Sequence, residues 1–445
     1  MIELLKKHLS DPQLINRLRA LAGDATASVP VSLTIELGKW RHDWLNLLPK
    51  NAPYWYQARP TKGIFRLGIG HALNVSSEGK HRFAALDNAY HGLCQHWRHT
   101  GKSISFIGFA FDKGNTAPLP NALLAIPSIF LESDNGTCSL TISVPAGRLD
   151  QAKEEWLGLL TPRQYQTRGR LIQQAPNVLA ERAWIARVNA ALRDIQRGTL
   201  SKLVLSRQRT FESDQAFSPQ HILQQLINQQ PDSMIYAHGN AQHCFLGATP
   251  ERLVSLDGQD ICADALAGTA WGESAELTGE KNRHEQSLVV EAVCQALSPY
   301  CEEKPTVSPA APYATGNLAH LRSEITAQAA NGTRIFDLIR ALHPTPAVGG
   351  YPSTAALDWL SRHNEQRPGW YSGCFGTLDS RGNGELFVAL RSALLHGKTA
   401  YLQAGAGIVA GSQAAQELAE TEAKIGTLLA ALQPETAITK NATGS

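Results

Sequence analysis

The sequence predicts an α+β fold of large antiparallel or mixed β-sheets sandwiched by outer helices. Residues 30–165 alternate short apolar segments with turn residues, the pattern of antiparallel sheet. Later helical segments fall between strands without regular βαβ cycling. Its 445 residues are 43% apolar, enough to build a substantial core. The expected organisation is a single domain over residues 1–435, with a divergent half over 1–165, a second half over 166–435 and a flexible tail over 436–445.

In chain order, VSLTIEL, GIFRLGIG, ISFIGFAFD, ALLAIPSIFLE and CSLTISV read as strands. Glu181 to Arg197 reads as an amphipathic helix, with Trp184, Ile185, Val188, Ala191 and Ile195 at helical spacing. LSKLVLSRQRTF follows as a strand and SPQHILQQLINQQ as a helix. MIYAHG, HCFLGATPERLVSL and ICADALAGTAW read as strands, and Leu277 to Leu297 and Ile335 to Leu342 as helices. FGTLD and GELFVALRSALLHGKTAYLQAGAGIV complete the sheets. A last helix runs from about Gln413 to Leu432.

Composition excludes several classes. Net charge is +2 with no long basic run, so no nucleic-acid partner is expected. No apolar run is long enough to span a membrane. The seven cysteines are scattered without a Cys-x-x-Cys pair, which argues against a disulfide framework or a zinc knuckle. MIELLKKHLSDPQL lacks the apolar core of a signal peptide, so a cytoplasmic location is expected. Oligomeric state leaves no mark in the sequence.

Three charges stand where the pattern asks for apolar residues. Glu285 shares a helix side with Leu288, Val289, Ala292, Val293 and Ala296; a glutamate near a helix start is also favoured by the helix dipole. Glu417, Glu420 and Lys424 share a face that continues into Ile425, Leu428 and Leu432, which also suits an ordinary surface ion pair. Acids at the polar end of a buried stripe on two helices more naturally meet around a cation. Carboxylate oxygens without Cys or His suit Mg²⁺, which keeps waters and takes other ligands from an anionic substrate.

Lys202 opens the strand Lys202-Leu203-Val204-Leu205-Ser206-Arg207, sharing a face with Val204 and Ser206. Most lysines at strand ends are solvated. Acting as a base would require its pKa to fall from about 10.4 toward roughly 7–8. Glu251 follows a turn signal and reads equally as a surface acid paired with Arg252 or as a general acid. Gly405 to Gly411 mimics a dinucleotide fingerprint, but its third glycine falls one residue late and no second strand follows. Backbone N–H groups at a helix N-terminus, aimed at a carboxylate, are the better use.

Taken in order, SKLVLSR, GATPERL, ALAGTA, EKNRHEQSLVVEAV, HLRSEI, LHPTPAVGGYP, GWYSGCFG, VALRSALL and QAGAGIVAGSQAAQELAETEAK resemble the chorismate-utilising enzymes. That group holds isochorismate, salicylate, anthranilate and aminodeoxychorismate synthases. The resemblance spans roughly residues 180–432 and marks the second half as the chorismate-binding one; residues 1–165 match only loosely.

The resemblance implies Mg²⁺ held by Glu285 and Glu420, Lys202 as the base that activates water, and Glu251 as the acid for the departing hydroxyl. It implies that Gly268, Thr269, Tyr371, Arg391, Gly407 and Lys424 bind the substrate, chorismate. Lysine at 202 favours water over ammonia, and no glutamine amidotransferase partner is expected. The implied activity is isochorismate synthesis, closest to the menaquinone-pathway type, with siderophore-pathway and salicylate synthases as alternatives and a silent chorismate-binding paralogue behind them. Leu418, where tryptophan is frequent, and Gly349-Gly350, replacing a bulkier pair, depart from the family pattern.

Overall fold

The computed structural model describes residues 1–39, 44–114, 117–161, 169–172, 177–271, 279–315 and 318–433. The expected tail at 436–445 lies outside the described residues. The first half contains α1 (Ile2–Leu9), α2 (Pro12–Ala22), β1 (Pro30–Lys39), β2 (Tyr54–Arg59), β3 (Ile64–Ile69), β4 (Leu73–Ser77), α3 (Arg82–His96), β5 (Arg98–Thr100), β6 (Ile104–Phe109), β7 (Ala122–Ile126), β8 (Ile129–Asp134), β9 (Thr137–Pro145) and α4 (Ala152–Leu159).

The second half opens with α5 (Val178–Gln196), β10 (Lys202–Glu212), α6 (Pro219–Gln229), β11 (Met234–Gly239), β12 (His243–Thr249), β13 (Arg252–Asp257), β14 (Asp260–Trp271) and α7 (Glu280–Leu297). It continues through β15 (Thr306–Val307), β16 (Ala311–Thr315), β17 (Leu318–Gln328), α8 (Ile335–Leu342), β18 (Gly350–Tyr351) and α9 (Ser353–Arg362). It closes with β19 (Cys374–Asp379), β20 (Gly384–Val388), β21 (Ser392–His396), β22 (Thr399–Val409) and α10 (Ala414–Leu432).

Two sheets hold these strands. The larger runs β18-β10-β22-β21-β12-β11-β2-β3-β8-β9-β1-β5, and the smaller β15-β17-β14-β13-β20-β19-β6-β7-β4, with β16 beside β17. Among the described residues all strand pairings are antiparallel except β1 with β5. Both sheets cross from one half into the other, through β2–β11 and β6–β19.

Three apolar runs that read as single strands are each broken where the chain passes between sheets. ALLAIPSIFLE divides into β7 and β8 at Pro127, HCFLGATPERLVSL into β12 and β13 at Pro250, and GELFVALRSALL into β20 and β21. Proline lacks the N–H a central ladder needs, so it marks the first two corners. At the third, Arg391 adopts a left-handed φ of 47°. The second and third corners face each other: Val388 N–H donates to the Glu251 carbonyl at 3.0 Å, and Ala248 N–H to the Arg391 carbonyl at 3.3 Å.

The core divides with the layers. Outer helices cover the larger sheet through α6 residues Ile222, Leu223 and Leu226 and α10 residues Ile425, Leu428 and Leu432. α7 and α8 pack Val289, Val293, Phe336 and Ile339 on the smaller sheet. Between the sheets, Trp55, Phe106 and Phe130 of the first half interleave with Phe245, Trp370 and Phe375 of the second. All seven cysteines are free thiols. Among the described residues no helix is long and apolar enough to cross a membrane.

Candidate active site

A cleft opens where the β12–β13 and β20–β21 corners meet the ends of β10 and β22. Lys202, Glu251, Gly268, Glu285, Tyr371, Arg391, Gly407, Glu420 and Lys424 all line it. The backbone of Thr269 lies in β14, and its side chain is outside the described residues.

Lys202 is not a solvated strand end. It is 1% exposed, because β10 is flanked by β22 on one side and β18 on the other. Its Nζ donates to Glu285 Oε1 at 2.9 Å, so the residue beside it is a carboxylate and not another cation. Gly407 makes this contact possible: a Cβ there would lie 2.3 Å from Glu285 Oε1 and 3.1 Å from Lys202 Cε. Gly350 does similar work behind the strand, with a φ of 146° and space for a Cβ only 2.5 Å from the Lys202 carbonyl. The Gly349-Gly350 departure therefore lets a loop lie against β10, where the Gly349 carbonyl accepts from Val204 N–H at 3.0 Å.

The Gly405–Gly411 segment differs from its expectation. Gly405 and Gly407 sit inside β22, and only Gly411 turns, so these glycines clear space above a strand instead of presenting a helix N-terminus. Leu418 is partly buried against the core beneath the smaller sheet.

Glu285 is buried on α7. Burial works against its charge, yet Lys202, Lys424 and Lys281 together outweigh that and hold its carboxyl below the usual range. On α10, Lys424 Nζ donates to Glu420 Oε1 at 2.6 Å and to the Gly405 carbonyl at 2.9 Å. Glu417, one turn earlier and buried, accepts from Lys281 at 2.7 Å. Burial first and Glu420 second raise its pKa, against the pull of Lys281. Burial disfavours the charge on Lys281, but Glu417, which it contacts, and the more remote Glu420 and Glu285 outweigh it and raise its pKa.

Glu251 is no surface acid. It is 2% exposed at its corner, and Arg252 turns instead to Glu385 at 3.2 Å and Glu324 at 4.0 Å. Burial and then Asp264 push its pKa up to about 8, against Lys202 and Lys424. A carboxyl in that state carries a proton at neutral pH and can donate it.

Arg391 is buried, which lowers its pKa to about 10. Tyr371 is buried too, its phenol pushed up to about 12 and so neutral. Three further residues, His320 and Arg367 in the lining and Asp264 behind it, stand outside the set expected from the sequence. His320 bridges Gly268 and Arg391. Arg367 donates to the Val348 and Val204 carbonyls and to Ser372. Asp264 accepts from Arg252 N–H and Arg322 just behind the cavity wall. Only HLRSEI, in the resemblance, touched one of them.

A family model described as chorismate binding enzyme matches residues 20–433. The chain belongs to the chorismate binding enzyme family. Among its relatives, the salicylate biosynthesis isochorismate synthase of Pseudomonas aeruginosa is 32% identical over 86% of this chain and 85% of that protein. Isochorismate synthase MenF of Bacillus subtilis is 34% identical over 57% of this chain and 56% of its own length. In structure, the chain resembles MenF, the menaquinone-specific isochorismate synthase from Escherichia coli. The TM-score is 0.79, with 24% identity over 94% of this chain and 99% of that one, and the likeness is one of fold.

Proposed function

We propose that the protein is an isochorismate synthase, an isomerase that adds water at C2 of chorismate and releases the C4 hydroxyl. One observation carries the reading: a single cavity is lined by a buried lysine, Lys202, a buried glutamate, Glu251, the carboxylates Glu285 and Glu420, and the cations Arg367, Arg391 and Lys424. Names borne by relatives over most of this chain's length support it.

Arg391 and Lys424 supply charge-assisted donors for the two substrate carboxylates, bidentate in the arginine case. Lys202, once deprotonated, takes a proton from water as the oxygen bonds to C2. Glu251 gives its proton to the C4 oxygen as that bond breaks. Bonds of similar kind are made and lost, so the reaction is expected to run in both directions.

Glu285 and Glu420 would hold Mg²⁺. Among the described residues no group of three metal-ligating side chains gathers, and two carboxylates without Cys or His are what a water-rich Mg²⁺ site needs. The carboxylates of Glu285 and Glu420 both act on Lys281 electrostatically, which supports a site that favours positive charge. When bound, the ion draws electron density from the ring through the substrate carboxylate.

The menaquinone branch remains our reading of the pathway, supported by relatives named MenF. The salicylate branch is the second reading, favoured by the greater length over which the Pseudomonas aeruginosa relative matches. Purified protein incubated with chorismate and Mg²⁺, its products separated by chromatography, tests both levels. Isochorismate as sole product is expected, lost with EDTA and restored by Mg²⁺. Salicylate would replace the proposed reaction with one that also eliminates pyruvate, and unchanged chorismate would overturn the reading.

A further inference from the structure

Arg391 stands at the corner between the sheets, and Gly268 stands on β14 of the smaller one. Between them lies His320 of β17, buried in the cavity wall. Its Nδ1 is 2.9 Å from the Gly268 carbonyl and its Nε2 is 2.5 Å from Arg391 Nη2. A guanidinium has only donors, so Nε2 accepts; the ring proton is then on Nδ1 and is donated to Gly268. Gly268 offers that carbonyl because β14 shifts register between Ala267 and Ala270, opposite His320, and the glycine takes a φ of 69°.

Resting on the isochorismate reading, we propose that His320 is a positioning residue, a neutral imidazole that fixes the Arg391 guanidinium against the Gly268 bulge so that a substrate carboxylate meets it in one orientation. Burial, Arg391 and Lys424 all disfavour a second proton on the ring, which keeps the acceptor available. The left-handed backbone of Arg391 agrees, since a strained residue persists only where its surroundings over-determine it.

Two variants separate the two ends of the imidazole. His320→Gln can place an oxygen where Nε2 sits and keep the acceptor for Arg391. His320→Asn can keep the donor to Gly268 but removes the imidazole acceptor from Arg391. His320→Asn is expected to raise the KM for chorismate by about 10-fold or more while kcat stays within about 3-fold, and His320→Gln to restore KM to within about 3-fold of the parent. Equal KM values for the two, or a kcat loss at constant KM, would overturn the proposal.

A ¹⁵N spectrum of histidine-labelled parent protein without substrate tests it apart from folding of the variants and apart from turnover. A protonated Nδ1 and a bare Nε2 are expected across neutral pH. The opposite tautomer or a doubly protonated ring overturns the assignment, whereas failure of the parent protein to convert chorismate overturns the activity reading alone.

Discussion

At the residue scale, Glu251 and Lys202 are the two groups on which the proposed chemistry turns, and both are almost wholly buried. Glu251→Gln keeps the shape and removes the transferable proton. Its kcat is expected to fall about 10²–10⁴-fold with KM nearly unchanged, measured by steady-state kinetics. Because the acid works only when protonated, activity of the parent should decline as pH rises through about 8. The same shift bears on stability. The folded pKa of about 8 lies above the ordinary 4.5, so this contribution is fully present below 4.5 and is lost as pH climbs through about 8. Melting temperatures should therefore favour Glu251→Gln over the parent at pH 9 and converge toward pH 4.5. Lys202→Ala should abolish turnover while chorismate still binds by calorimetry, because Arg391 and Lys424 remain.

Elements bring these residues together more by clearance than by attraction. β22 passes over the Lys202–Glu285 contact only because residue 407 has no side chain. Gly407→Ala forces Glu285 or Lys202 aside and is expected to cut kcat/KM by at least about 10-fold, with a melting loss of only a few degrees. What was legible in the sequence follows the same line. Charge inside an apolar period is a local signal, so Lys202, Glu285 and Glu420 could be singled out without knowing any contact. α3 was missed because Arg82 and Asp87 occupy its buried side and break the apolar stripe. The corners were missed because an apolar run reads alike whether it stays in one sheet or changes sheets. Glu251 consequently remained ambiguous between surface and site, and nothing local marked His320 as the neighbour of Arg391, 71 residues away.

For the molecule as a whole, both sheets and the aromatic layer between them span the boundary near residue 165. A fragment of residues 178–433 would expose the edges of β11 and β19 and leave Trp370 without Trp55 and Phe106. It is expected to be insoluble or to lack a cooperative melting transition, where the whole chain melts as one unit in calorimetry.

Strand order carries one more consequence. Outward from the β2–β11 seam, the first half runs β2, β3, β8, β9, β1 and the second β11, β12, β21, β22, β10. Across the smaller sheet, β6, β7, β4 mirror β19, β20, β13. The two halves therefore repeat one strand order about a pseudo-dyad. Their side chains differ at matching places: Pro30 opens β1 where Lys202 opens β10, and Pro127-Ser128 fills the corner that Arg391 occupies opposite. The second half carries the ionisable groups, and the first serves as the scaffold that closes the sheets.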